Sequence, residues 1–243
     1  MKKTLLIVAV CALGAFALSS CSTKTSSEKQ PAGISKAQVD SVSYMLGYNL
    51  GRSINYSNMG ALNINKIVAG IKAAGDGVEV SQEEFYSTVN GFIQKRMELV
   101  GEANLAKAEK FFEQNASKEG VQTTESGLQY QIVREGAVKA SSEKDTVEVN
   151  YEGTTLDGVV FDSSYERGES VTFPLNRVIK GWTEGMQLVG EGGEITLWIP
   201  ANLAYGERPQ GDKIGPNEAL KFKVEVIKVS PYVEPQAEET TKK

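Results

Sequence analysis

No histidine occurs anywhere in the 243 residues. That absence excludes Ser-His-Asp and Cys-His nucleophile systems, His-ligated zinc and the histidine general base. Cysteine is almost as scarce. The two present, Cys11 and Cys21, sit close to the N-terminus, so the chain beyond them has no disulfide and no thiol nucleophile. Positive charge is not in excess either: 26 Lys and Arg face 31 Asp and Glu, a net charge of −5. Nucleic-acid binding needs clustered cations against phosphate, so no nucleic-acid partner is expected. A phosphate loop is also missing. Gly190 to Gly193 looks superficially like one, but it has neither the Lys-Ser/Thr pair nor the full Gly-x-Gly-x-x-Gly spacing, and reads as a turn into a strand. No cofactor and no metal are expected. What remains, 40 % hydrophobic and 23 % charged, is the composition of an ordinary globular protein of one or two domains.

The longest apolar run, Leu5 to Leu18, has 14 residues and follows Lys2-Lys3. A membrane span needs about 20 apolar residues, so residues 1–20 read as a signal peptide. Leu18-Ser19-Ser20-Cys21 resembles the bacterial lipobox, whose cysteine is lipidated and becomes the first mature residue; the alternative is that Cys21 is an ordinary leader residue. Residues 21–31, rich in Ser, Thr and Lys, read as a flexible tether. Each buried acyl methylene contributes ~0.8 kcal/mol, so several chains would anchor the protein firmly. Without its leader the chain keeps 24 bases and 31 acids, a net charge of −7. The expectation is an exported protein of the cell envelope that meets the membrane only through a lipid anchor.

Two halves differ in hydrophobic period. Residues 32–118 are helical in pattern. Ser35 with Gln38 forms a capping-box start, followed by Val39, Val42, Leu46, Leu50 and Ile54 at three- and four-residue spacing. A short second segment carries Ile64, Ile67, Val68 and Ile71. Ser81 with Glu84 is a second capping box, opening a run from Phe85 through Val89, Phe92, Ile93, Leu99 and Leu105 to Phe111 and Phe112. No proline interrupts it, although Gly91 and Gly101 weaken it; over ~35 residues it would reach ~50 Å, long enough for a stalk or an oligomer contact. With 9 bases and 10 acids between Pro31 and Gly120, this half has no charged face that suggests a ligand, and it reads as an assembly domain.

Over residues 119–230 the period becomes two. Leu128, Tyr130 and Ile132 alternate with polar residues; so do Val147, Val149 and Tyr151, then Ile195, Leu197 and Ile199, and the run Leu220 to Val226. The one helix expected between them spans Asn176 to Leu188. The fold class is α+β: a curved antiparallel sheet wrapped on one short helix, preceded by an all-α domain with a long linking helix. Residues 231–243 are polar, without period, and read as disordered.

This second half is rich in aromatics, most of which composition alone would assign to a core. Asp162 directly after Phe161, and Tyr205 in a loop after Pro200, add a carboxylate and a phenol of the kind that rims an apolar ligand pocket. Four motifs then carry a resemblance: Val149-Asn150-Tyr151-Glu152-Gly153; Gly158 to Phe161-Asp162-Ser163-Ser164; Val178-Ile179-Lys180-Gly181-Trp182-Thr183-Glu184-Gly185; and Ile199-Pro200 to Ala204-Tyr205-Gly206. In order, over residues 124–229, they resemble the FKBP-type peptidyl-prolyl cis-trans isomerases. The helical half, with Ser43 to Gly51, is similar to the N-terminal dimerisation domain of the Mip- and FkpA-like bacterial members.

The resemblance implies an enzyme that rotates X–Pro bonds of folding or unfolded proteins, a homodimer, and macrolides as a class of inhibitor. It implies apolar walls from Tyr151, Phe161, Phe173, Val178, Ile179 and Phe222, with Trp182 as the floor. Asp162 and Tyr205 fall on the polar rim, the Ile179 main-chain N–H on a group that bonds a substrate carbonyl, and Arg167 on a partner for Asp162. Asp162 would act on the rotating carbonyl or orient Arg167 or Tyr205. In the loop 207–217 the likeness weakens, at Pro209, Gly211 and Ile214-Gly215-Pro216. A second reading is a chaperone-like holdase whose dimer cleft binds unfolded clients, with isomerisation incidental.

Overall fold

The computed structural model describes residues 31–57 and 59–234. The leader, Cys21, the tether up to residue 30 and residues 235–243 lie outside the described residues. Three helices come first. Helix α1 (Lys36–Tyr56) starts as its sequence predicts: the Gln38 N–H donates to Ser35 Oγ at 3.3 Å, and the Ser35 N–H donates to Gln38 Oε1 at 2.8 Å. Helix α2 (Ile64–Gly75) is capped by Asn63, whose Oδ1 accepts from the Lys66 N–H. Helix α3 (Gln82–Ala116) runs uninterrupted for 35 residues. At its start only half of the expected box forms, with Ser81 Oγ accepting from the Glu84 N–H.

The apolar positions of these helices are not covered. Val42, Leu46 and Leu50 on α1 are all exposed, Leu46 at 67 %, and α2 has no buried residue. On α3, Leu99 and Leu105, marked by the apolar pattern, are half exposed. The buried positions are instead Gly101, Ala108 and Asn115. Their seven-residue spacing keeps them on one face, and that face lies against the sheet domain. At its lower end the buried Asn115 amide donates to Gln129 Oε1 at 2.9 Å, and Gln129 Nε2 donates to the Phe112 carbonyl at 2.9 Å.

The sheet has seven strands: β1 (Gln122–Thr123), β2 (Gln129–Arg134), β3 (Thr146–Thr155), β4 (Val160–Ser163), β5 (Val171–Pro174), β6 (Glu194–Ile199) and β7 (Leu220–Ser230). Their order is β1-β2-β6-β7-β3-β4, every pairing antiparallel, with β5 on β3 beside β4. β3 is the hub: one edge pairs with β7 along its whole length, and the other holds β5 at residues 146–149 and β4 at residues 152–154. At Glu148/Val149 and Gly153/Thr154 the register shifts by one extra residue in the partner strand, Ile227 of β7 and Phe161 of β4, and such bulges help curve the sheet. Strict alternation along β3 turns Val147, Val149, Tyr151, Gly153 and Thr155 inward.

Across the concave face lies α5 (Lys180–Gly185), preceded by a 3-10 turn, Leu175–Arg177; the regular helix is shorter than the 176–188 span expected from sequence. It sits close to β6 because its inner face is glycine: a Cβ on Gly185 would be 2.7 Å from Leu197. A one-turn helix, α4 (Ser164–Arg167), follows β4 and is too short to leave a period in the sequence. Leu128, Val147, Val149, Leu175, Met186, Ile195, Leu197, Ile199 and Leu220 are fully buried between sheet and helix. The chain stays held as far as Tyr232, just inside the segment read as disordered. Its N–H donates to the buried Asp145 carboxylate at 2.8 Å, and Lys144 Nζ lies 5.2 Å from its ring centroid.

Candidate active site

A cavity of about 460 Å³ opens between the concave face of the sheet and α5. Its size suits a small ligand or one side chain of a larger one. Tyr151 reaches it from β3, Phe161 and Asp162 from β4, Phe173 from β5 and Phe222 from β7. Trp182 rises from the first turn of α5, Val178 and Ile179 precede that helix, and Tyr205 comes from the loop after β6. Nine of the ten site residues expected from sequence therefore line one hollow. Arg167 does not line it but reaches Asp162 from the end of α4. Arg177 also lines the cavity and was not foreseen; nothing in its spacing distinguishes it from an ordinary surface arginine.

The aromatic rings meet edge to face. Trp182 lies at 5.1 Å and 84° to Tyr151, 5.7 Å and 80° to Phe173, and 5.3 Å and 86° to Phe222. Such geometry sets a positive ring edge against a negative face and fixes each ring in place. The inward position next to these rings is Gly153, where a Cβ would lie 2.7 Å from Phe161 and 2.8 Å from Phe222. Only a glycine leaves room for both rings. The Trp182 indole N–H is buried and has no hydrogen-bond acceptor among the described residues.

The polar rim is a cluster around Asp162. The Tyr151 hydroxyl and the Arg167 guanidinium both donate to its carboxylate, and Arg167 Nη2 also donates to the Tyr151 hydroxyl at 3.2 Å. Burial pushes the Asp162 carboxyl up, but these two donors outweigh it and hold the group below the usual carboxylate range. Burial, then donation to Asp162, raises the Tyr151 phenol. Asp162 is therefore a charged, fully engaged acceptor. Of the two partners weighed from sequence, Arg167 is present and Tyr205 is not; the second donor is Tyr151. The Tyr205 phenol is raised by burial and by the nearby Asp162 charge, and no described residue bonds its hydroxyl. The Ile179 N–H likewise has no protein acceptor, while its carbonyl accepts from Trp182 and Thr183 as α5 begins. The hollow thus offers two spare donors above an aromatic floor, and no nucleophile or free base.

Comparison with known proteins agrees with this geometry. Residues 138–227 match the family described as FKBP-type peptidyl-prolyl cis-trans isomerase, and residues 39–132 the domain amino terminal to it. The chain is 44 % identical over 198 residues to the probable FKBP-type peptidyl-prolyl cis-trans isomerase FkpA of Neisseria meningitidis, covering 77 % of this chain and 73 % of that one. It is 37 % identical to the outer membrane protein MIP of Legionella longbeachae, over 78 % of this chain and 85 % of that one. The crystal structure of FkpA from Escherichia coli superposes with a TM-score of 0.59 at 38 % identity, covering 81 % of this chain and 98 % of that one.

The chain belongs to the FKBP-type peptidyl-prolyl cis-trans isomerases, enzymes that act on proline-containing substrates. Its α+β architecture, helices followed by a curved antiparallel sheet, is that of the FkpA structure.

Proposed function

We propose that the cavity over Trp182 is where this isomerase turns its X–Pro bond, with the prolyl ring on the indole and the flanking carbonyls held by the Ile179 N–H and the Tyr205 hydroxyl. The observation that carries this reading is the pairing of two unsatisfied donors, the Ile179 N–H and the Tyr205 hydroxyl, with a hollow walled and floored by aromatic rings. Twisting an X–Pro bond needs no proton transfer and no covalent intermediate. Its barrier is ~18–20 kcal/mol because rotation sacrifices amide resonance. Water favours the resonance form by solvating the charge on the carbonyl oxygen, so a wall of Phe161, Phe222 and Phe173 that replaces water favours the twisted, less polar amide. Asp162, engaged by Tyr151 and Arg167, locks the rim and sets a fixed negative charge beside the bond. Lowering the barrier by ~5 kcal/mol would accelerate rotation nearly 10⁴-fold. A chain without histidine is sufficient for this. The test is the cis-to-trans rate of an X–Pro peptide with residues 22–243 beside the Tyr205→Phe, Asp162→Ala double variant. Wild type should accelerate rotation and the variant should lose at least ~100-fold of that; an equally active variant would move the chemistry elsewhere.

The same reading extends to assembly and place. Residues 32–118 form a dimerisation domain and residues 119–230 the catalytic one. The exposed apolar faces of α1 and α2 support a homodimer, since a second copy of those faces would cover them. The signal-peptide pattern and lipobox-like Cys21 support a lipid-anchored protein of the bacterial envelope that assists folding there, as does the outer membrane name of the Legionella relative. No helix among the described residues is long and apolar enough to cross a membrane. Light scattering of residues 22–243 tests the dimer, and mass spectrometry of Cys21 in membrane fractions tests the anchor.

A further inference from the structure

The loop 207–217 follows Tyr205, which lines the cavity, and it does not rest on the sheet alone. It rests on α3. At the α3 face toward the loop, Asn104 Nδ2 donates both to the Pro216 carbonyl and to Glu218 Oε2, each at 2.9 Å. One turn earlier, Gly101 leaves the space in which Pro216 and Asn217 lie: a Cβ there would be 3.1 Å from Asn217 Nδ2 and 3.6 Å from Pro216 Cβ. One turn later, Lys107 Nζ reaches Asp157 at 2.5 Å and the other Glu218 oxygen at 3.7 Å. Positions 101, 104 and 107 recur at three-residue spacing on neighbouring turns, so one stretch of α3 meets both the end of this loop and the turn between β3 and β4.

From Pro216 the connection to the cavity is two steps long. Asn217 follows with φ of +53°, a left-handed backbone that is costly for a non-glycine residue unless its surroundings hold it. In that conformation its N–H donates to the Gly206 carbonyl at 2.7 Å, and Gly206 is the residue after Tyr205. The other side of the loop is tied by Lys213 Nζ, which donates to the Val160 carbonyl at 2.8 Å.

We infer that α3 is a brace for the active site: Asn104 is a positioning residue which, through Pro216, Asn217 and Gly206, fixes the Tyr205 hydroxyl over the prolyl site, and Gly101 is glycine to admit the loop. The inference rests on the cavity's being the isomerase site. It makes the helical half a supplier of catalytic geometry as well as of assembly. Neither hydrogen bond from Asn104 goes to a lining residue of the cavity, so its effect runs through the loop.

The experiment uses three variants of the full chain. Asn104→Leu removes the donor at similar size. Gly101→Ala crowds the loop while strengthening the helix, because alanine is the better helix former. Gly91→Ala makes the same helix change where a Cβ meets nothing within 4 Å, and serves as the control. Toward a short X–Pro peptide, Asn104→Leu and Gly101→Ala should each lose roughly fivefold in kcat/KM, mainly through a higher KM, the scale of one net hydrogen bond. Gly91→Ala should match wild type. Hydrogen exchange at the Asn217 amide should accelerate roughly fivefold or more in the first two variants only.

A role confined to stability predicts that Gly101→Ala, with melting at or above that of wild type, keeps full activity; that result, or unchanged Asn217 exchange, overturns the brace. If wild type itself fails to turn X–Pro peptides, the isomerase reading falls, while the exchange measurement still decides whether α3 holds the loop.

Discussion

The two halves of the chain use the same residue types to opposite ends. In the sheet domain Val149, Leu197 and Ile199 are fully buried, whereas on α1 the equally apolar Val42 and Leu46 are 60 % and 67 % exposed. Burying such a side chain contributes about 1.5–3 kcal/mol, a contribution the catalytic domain makes within one chain and α1 can make only against another surface. The first is a finished core and the second is an apolar face left uncovered. Chemistry follows the same division: Tyr151, Phe161, Asp162, Phe173 and Phe222 of the site stand on strands locked by that core, and Trp182 on the helix packed across it. The helices hold no site of their own, and their reach is what they add.

The sharpest way to break this contrast is in the core. Leu197→Ala should destabilise the sheet domain by about 3–4 kcal/mol, read as a shifted midpoint in denaturant, whereas Leu46→Ala on α1 should leave that midpoint in place. A smaller effect is expected at Gly153→Ala, about 2 kcal/mol from overpacking against Phe161 and Phe222, with isomerase activity falling more than stability because those rings line the cavity.

Next comes Asp145. Its carboxylate, only 2 % exposed, is held below the usual range first by the Tyr232 N–H, against the upward push of burial, and then by the Ser141 and Ser142 N–H groups. A folded-state pKa lowered in this way stabilises the protein above the unfolded value of about 4 and is lost as pH falls through the folded value. Melting followed from pH 6 down to pH 2 should show that loss, and Asp145→Asn should flatten it while costing about 1 kcal/mol at neutral pH. The smallest effect on the catalytic domain is expected from Leu46→Glu. It should leave the sheet's melting and the peptide rate unmoved while converting a dimer to monomers in light scattering; a dimer that survives it would place the assembly surface elsewhere.

Where side chains repeat with a period, the elements could be read directly: Ser35 with Gln38 starting α1, the long run of α3, and the alternation along β3 and β7. The pocket residues were legible only through motifs, because Tyr151, Phe173, Trp182 and Phe222 look like any buried aromatics until the sheet curls them round one hollow. Short elements escaped, since four residues of α4 cannot show a helical period. The docking face of α3 escaped for another reason. It is built from Gly101, Ala108 and Asn115, small or polar residues that carry no apolar signal, while Leu99 and Leu105, which carry one, stay half exposed.

By itself, then, the sequence determined where the long periodic helices and strands would lie, that one half would carry the aromatic side chains of an interior, and that no histidine chemistry would be used. Those properties follow from composition and from neighbours along the chain. The tertiary structure alone decided that Tyr151 would join Arg167 on Asp162, that Arg177 would border the cavity, and that Asn104 would hold Pro216, a residue 112 positions away. Such contacts arise from how a curved sheet and a long helix come to rest on each other, and periodicity along the chain carries no record of distances across it.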